Sequence, residues 1–232
     1  MPEMSLARRL KNSLKASAGT VVFGMEDGTV SIFGLVLGVA ATTTSSLEVL
    51  VAGASGAAAA AVSMMAGAYL EAETSRDERA ASQERLAAEL ADRGTSAALL
   101  SQRLRAAGLK APLCGALSRA VQHNAEAMKA LLLALEGAPA TTQAPLRQAL
   151  WMLGADFFSA AVPIVPFMLL PIGKARVVAS VITVALLVLL GVGRARIGNR
   201  GVARTVLETV GMGIAAAVAG VAIGLAIQRG FA

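Results

Sequence analysis

Apolar residues along this chain are gathered into five long blocks, at about 21–42, 47–70, 149–170, 176–194 and 206–227. Each approaches the roughly 20 residues that a helix needs to cross a bilayer, the fourth being the shortest. The blocks lack the polar stripe of an amphipathic element, so they predict spanning helices and not the core of a soluble domain. Between the second and third blocks the pattern changes. Glu71, Glu73, Asp77, Glu78, Glu84, Glu89 and Asp92 are interleaved there with arginine. That alternation predicts a soluble helical insert instead of a sixth span.

Three helices account for the insert. The first covers 71–92, with Leu86 and Leu90 four residues apart, and Arg93-Gly94 is expected to end it. Thr95 or Ser96 can cap a second helix, which bears Leu99, Leu100 and Leu104 and closes at Gly108. Ala111-Pro112 opens a third, carrying Leu113, Leu117, Val121 and Met128 and ending at Glu136-Gly137. Residues 138–145, with Pro, Thr and Gln, form a linker back to the membrane. No strand pattern is visible. The expected fold is all-α: a five-span transmembrane bundle with a three-helix cytosolic insert between spans two and three. Its divisions are 1–70 (spans one and two), 71–148 (insert) and 149–232 (spans three to five).

Composition agrees with that class. The chain is 56% hydrophobic but only 3% aromatic, and abundant Ala and Gly suit close helix packing in lipid. Gly24 and Gly28, Gly34 and Gly38, and Gly220 and Gly224 repeat a four-residue spacing. They serve either packing within one subunit or an interface between two. Cys114 is the sole cysteine, which rules out an internal disulfide and a cysteine metal cluster. A net charge of +6 would suit nucleic acid, yet the Arg and Lys residues sit largely at the ends of the blocks. They read as a topology signal, and no nucleic-acid partner is expected. Arg8, Arg9, Lys11 and Lys15 precede span one, and Arg194, Arg196, Arg200 and Arg204 lie between spans four and five. Both groups are expected in the cytoplasm, as is the insert, with the C-terminus outside. Lys174 and Arg176 then fall outside, fewer than the basic residues of either inner group. No small-residue cleavage site follows the first basic run, so span one is expected to be retained. A bacterial plasma membrane is the expected location.

Acids inside the blocks carry the candidate chemistry. Asp27 follows Val21, Val22 and Phe23. It lies either at membrane depth, where a carboxylate marks a partner, a cavity or an ion path, or at the start of a helix opening at Gly28. Asp156 shares span three with Pro163 and Pro166, which are expected to break the helix and free backbone carbonyls beside a cavity. Asp156 either joins an ion path or pairs with a basic residue at the cytoplasmic edge. Glu26 and Glu208 are read as interfacial, and Glu48 as a cap on span two. His123, the only histidine, is read as an ordinary surface residue. No block holds a histidine and no nucleophile–base pair is evident, so the chain is not expected to be an enzyme.

Three motifs, in order and across nearly the whole chain, resemble the vacuolar iron transporter family, which includes yeast vacuolar iron/manganese transporters and many bacterial proteins. They are Asp27-Gly28-Thr29-Val30-Ser31-Ile32-Phe33-Gly34-Leu35-Val36-Leu37-Gly38, then Ser63-Met64-Met65-Ala66-Gly67-Ala68-Tyr69-Leu70 followed by Ser75-Arg76-Asp77, and Phe157-Phe158-Ser159-Ala160-Ala161-Val162-Pro163-Ile164-Val165-Pro166-Phe167. The resemblance implies a homodimer of five-span subunits that moves ferrous iron, manganese or related divalent ions out of the cytosol in exchange for protons. It puts Asp27 and Met64 on the route, with span one lining both the path and the dimer interface. A hard carboxylate beside a soft thioether favours a borderline ion over magnesium or calcium. Without the family, Met64 would read as a gap-filling apolar side chain. The metal is cargo, and no permanently bound cofactor is expected.

The insert departs from the family pattern. Well-studied members carry metal-binding glutamates on its first and third helices and methionines near the end of the third. Here Glu89 and Glu136 resemble two of those acids, while Leu132 and Leu133 stand where methionines are expected. Ala68 stands where many bacterial members have an acid. Glu71, Glu73, Asp77, Glu78, Glu84 and Glu126 remain as candidate ligands, or as a solvated charged face. The altered insert also motivates an alternative: a transport-inactive relative acting as a membrane scaffold or metal-sensing regulator.

Overall fold

In the computed structural model the described residues are 13–14, 17–90, 93–135 and 144–231, excepting the side chains of 87, 89–96 and 125. Among them every regular element is a helix. The helices are α1 (Ala18–Thr42), α2 (Ser46–Leu90), α3 (Arg93–Ala106), α4 (Ala111–Val121), α5 (Ala125–Leu135), α6 (Pro145–Leu169), α7 (Ile172–Ile197) and α8 (Val202–Phe231). Five of them, α1, α2, α6, α7 and α8, are long and apolar enough to cross a membrane. The chain is a multi-pass helical membrane protein. It divides into two compact units, Met1–Leu70 with Gln143–Ala232, and Glu71–Thr142.

In the first unit α1 packs against α6, α7 and α8. Ile32, Val36 and Ala40 of α1 meet Ala160, Ile164 and Phe167 of α6, Ala175 and Ala179 of α7, and Val49 and Ala57 of α2. Large apolar side chains such as Phe158, Leu169, Leu189 and Leu207 stay exposed, as a lipid-facing surface requires. Glycine lets the central helix lie close to two neighbours at once. A Cβ at Gly24 would come within 2.7 Å of the Met152 sulfur on α6, and one at Gly38 within 2.6 Å of the Gly220 carbonyl oxygen on α8. The four-residue glycine spacings therefore build contacts within the subunit.

Gly220 is the tightest of these points, since a Cβ there would press on the Gly34 backbone itself. Backbone cannot rotate aside as a side chain can. Gly220→Val should lower stability by at least the ~1–3 kcal/mol typical of overpacking. Gly211→Val on the same helix, where no atom lies within 4 Å of the added carbon, should stay within about 0.5 kcal/mol. Thermal unfolding of the two variants in detergent is the check, and equal stability would contradict the packing described.

Several elements differ from the sequence reading. Span one is not among them: its helix starts at Ala18, near the expected 21, and so puts Asp27 inside the helix and not at a start at Gly28. The second span and the first insert helix are one helix: α2 runs past residue 70 to Leu90, because Glu, Ala and Arg are good helix formers wherever they are solvated. Helix α6 continues through Pro163 and Pro166 to Leu169 instead of breaking. Ser45 Oγ, not Glu48, accepts at the start of α2, from the Glu48 N–H at 3.4 Å. At the far end of α1, Arg176 of α7 donates to the carbonyls of Ala40 and Thr43, satisfying oxygens that a helix terminus leaves free.

The second unit buries Leu86, Leu100, Leu104, Cys114, Met128 and Leu132 together. Gly94 falls in the first turn of α3 and not in a cap after α2. The single third helix expected over 111–136 is two helices, α4 and α5. The break is local: Asn124 accepts at Oδ1 from the Ala127 N–H at 3.0 Å and so caps α5. Leu113 is exposed, outside that core.

Candidate functional site

Several polar residues of the first unit gather where α1, α7 and α8 meet. A cavity of about 370 Å³ lies there, lined by Glu26 and Asp27 of α1, Arg194 of α7, Arg200 of the α7–α8 turn, and Thr209 and Met212 of α8. Val22, Phe23 and Val30 supply apolar walls. Asp27 is partly buried, and its backbone carbonyl accepts from Ser31 Oγ at 2.7 Å. The α7–α8 turn holds Asn199 at φ 49°, a left-handed conformation that asparagine tolerates.

Glu26, read from sequence as interfacial, has partners within the protein. It is buried, with Arg194 donating to Oε2 at 3.3 Å and Thr209 donating to Oε1 at 2.9 Å. Its neighbours lie 168 and 183 residues away in sequence, and no spacing rule links them. The one available signal was a second acid beside Asp27 in an apolar block. Glu208 does sit at the surface side of α8, ion-paired with Arg200 at 3.5 Å and Arg204 at 3.0 Å.

Asp156 lies behind the glycine that follows Asp27. It is fully buried, and a Cβ at Gly28 would come within 2.9 Å of its Oδ1 and 2.8 Å of Ser159 Oγ. Ser159 donates to the Asp156 backbone carbonyl, at 3.0 Å. Among the described residues neither carboxylate oxygen of Asp156 has a hydrogen-bond partner, and Thr29 Oγ1 nearby in α1 has none either. Among the described residues no basic side chain pairs with Asp156. A buried carboxylate without partners is costly to keep, so the fold holds Asp156 behind Gly28 at an expense.

Other candidate residues fall elsewhere. Met64 is partly buried on α2 and does not line the cavity. Glu71, Glu73, Asp77, Glu78, Glu84 and Glu126 are exposed on the helices of the second unit. Glu89 lies in α2, but its side chain is outside the described residues, as are Glu136 and the four basic residues before span one. Leu132 is fully buried in the leucine core, where it packs and does not present itself to an ion. Among the described residues no three His, Cys, Asp or Glu side chains converge.

A family model described as the VIT family matches residues 18–225. Two relatives, each named Vacuolar iron transporter 1, come from Eucalyptus grandis and Arabidopsis thaliana. The first is 30% identical over 214 residues, covering 90% of this chain and 85% of the relative. The second is 30% identical over 215 residues with the same coverage. Both are transporters by name and not enzymes. Matches spanning all five apolar helices leave one assignment, and the chain belongs to the VIT family.

Proposed function

We propose that this protein is a divalent transition-metal transporter that moves ferrous iron or manganese out of the cytosol in exchange for protons, as a homodimer. One observation carries the reading beyond family membership. Asp27 lines a cavity inside a spanning helix, and the fully buried, unpartnered Asp156 packs against the next residue, Gly28. Intramembrane acids held at such a cost mark ion paths.

Asp27 supplies a hard oxygen to the ion, and a proton replaces the metal on the same carboxylate when the ion leaves. Met64 of α2 stands outside the cavity that Asp27 lines; its place on the route as a soft ligand, which would bias transport toward borderline ions, rests on the family resemblance. The basic clusters set the N-terminus, the insert and the α7–α8 turn in the cytoplasm and the C-terminus outside, in a plasma membrane of bacterial type. The exposed acids of the insert bind ions weakly, because each is solvated and no preformed shell positions it.

Uptake into inside-out membrane vesicles tests direction and selectivity together. Ferrous iron, manganese, cobalt, zinc and magnesium are each supplied with and without an acid-inside gradient. The wild-type chain should accumulate ferrous iron or manganese ahead of magnesium, and Met64→Leu should narrow that preference. Absence of flux for every ion would favour the scaffold or regulator reading instead.

A further inference from the structure

Glu26 and Arg194 form an ion pair that the transport reading leaves unused. Both line the cavity that Asp27 lines. The glutamate side chain is 10% exposed and the arginine side chain 35% exposed, so one partner is fixed and the other has room to leave. Thr209, itself fully buried, holds the second carboxylate oxygen from α8. Arg200, the other arginine of the cavity wall, is already paired with Glu208.

We propose that Arg194 is an internal competitor for the transported cation: its guanidinium occupies Glu26 until a divalent ion displaces it. The proposal rests on the transport reading above and names a selectivity device at the same cavity. A guanidinium cannot lose its proton in a protein, so Arg194 vacates Glu26 only by moving. Coulomb attraction scales with charge, so a divalent ion gains about twice what a monovalent ion gains at one carboxylate. A divalent ion therefore outmatches the single charge of the guanidinium at Glu26, which a monovalent ion only equals. Adjacent helix positions diverge by about 100°, so Glu26 and Asp27 offer successive holds along one wall and not a single chelate. Thr209 keeps the carboxylate in place while its positive partner changes.

The test is manganese flux in proteoliposomes holding the full chain, with KM and kcat measured separately and with potassium added as a monovalent competitor. Arg194→Gln should lower KM for manganese several-fold and make the flux sensitive to potassium. Glu26→Gln should raise KM several-fold. The double variant should match Glu26→Gln, because a competitor for an absent ligand has nothing to do. Arg194→Lys keeps the charge and the aliphatic stem and provides a variant that preserves the packing. Its more strongly hydrated ammonium should lower KM in the same direction by a smaller factor. If Arg194→Gln and Arg194→Lys leave KM unchanged, or raise it as Glu26→Gln does, the pair is only a brace between α1 and α7 and the proposal is overturned. Wild-type flux in Asp27→Asn would remove the transport reading itself, a separate outcome.

Discussion

Asp27→Asn should reduce metal flux by at least about a hundredfold, the equivalent of roughly 2.7 kcal/mol in the transport barrier, while the protein still folds. The amide keeps the size of the carboxylate and one oxygen, but it has no charge to hold a divalent ion and no site for the returning proton. The position is partly buried on a cavity wall, so the exchange removes no core packing. Flux in proteoliposomes, set against the elution volume and melting temperature of the same preparation, separates loss of transport from loss of fold. A variant that melts normally and transports at the wild-type rate would take Asp27 out of the mechanism.

Asp156→Asn should have two effects of opposite value. The native carboxylate is fully buried with no hydrogen-bond partner among the described residues. An uncompensated buried polar group costs about 1–3 kcal/mol, and more when charged. Replacing it with a neutral amide of the same shape should relieve part of that cost. The melting temperature should rise by a few degrees, on a scale of about 2–4 °C per kcal/mol for a chain of this size. If the cost is retained for function, flux should fall by more than about tenfold. A protein that is both less stable and fully active would make Asp156 a structural residue with a partner of its own.

The elements that sequence revealed are those fixed by local composition. Long apolar blocks marked the spanning helices because a helix satisfies its own backbone in lipid and needs a continuous apolar run of that length. Glycines four apart marked close helix contacts, and the structure gives those contacts to α6 and α8. What stayed hidden depends on partners far away in the chain. The Glu26 pairing with Arg194 and Thr209 joins three helices across more than half the sequence, and each residue alone looks like a span-end polar group. The ends of helices were also poorly marked. The change of composition at Leu70 signals a change of solvent, not of secondary structure, and α2 crosses it as one helix. The break between α4 and α5 falls at Gln122–Asn124, where only Asn124 is a capping residue and neither Gly nor Pro gives warning. The insert leucines illustrate a related limit. Sequence marked Leu132 as a lost methionine, and only the fold shows it in the buried core.

The central claim is that divalent metal crosses the membrane past Asp27 against a counterflow of protons. Its most direct measurement follows both in one vesicle: proteoliposomes of the wild-type chain with an acid interior, a trapped pH dye, and ferrous iron added outside under reducing conditions. The account predicts that iron accumulates inside while the interior becomes alkaline at a matching rate, and that Asp27→Asn abolishes both signals together. Iron accumulation with no change in the dye, or no accumulation under any gradient, would contradict it.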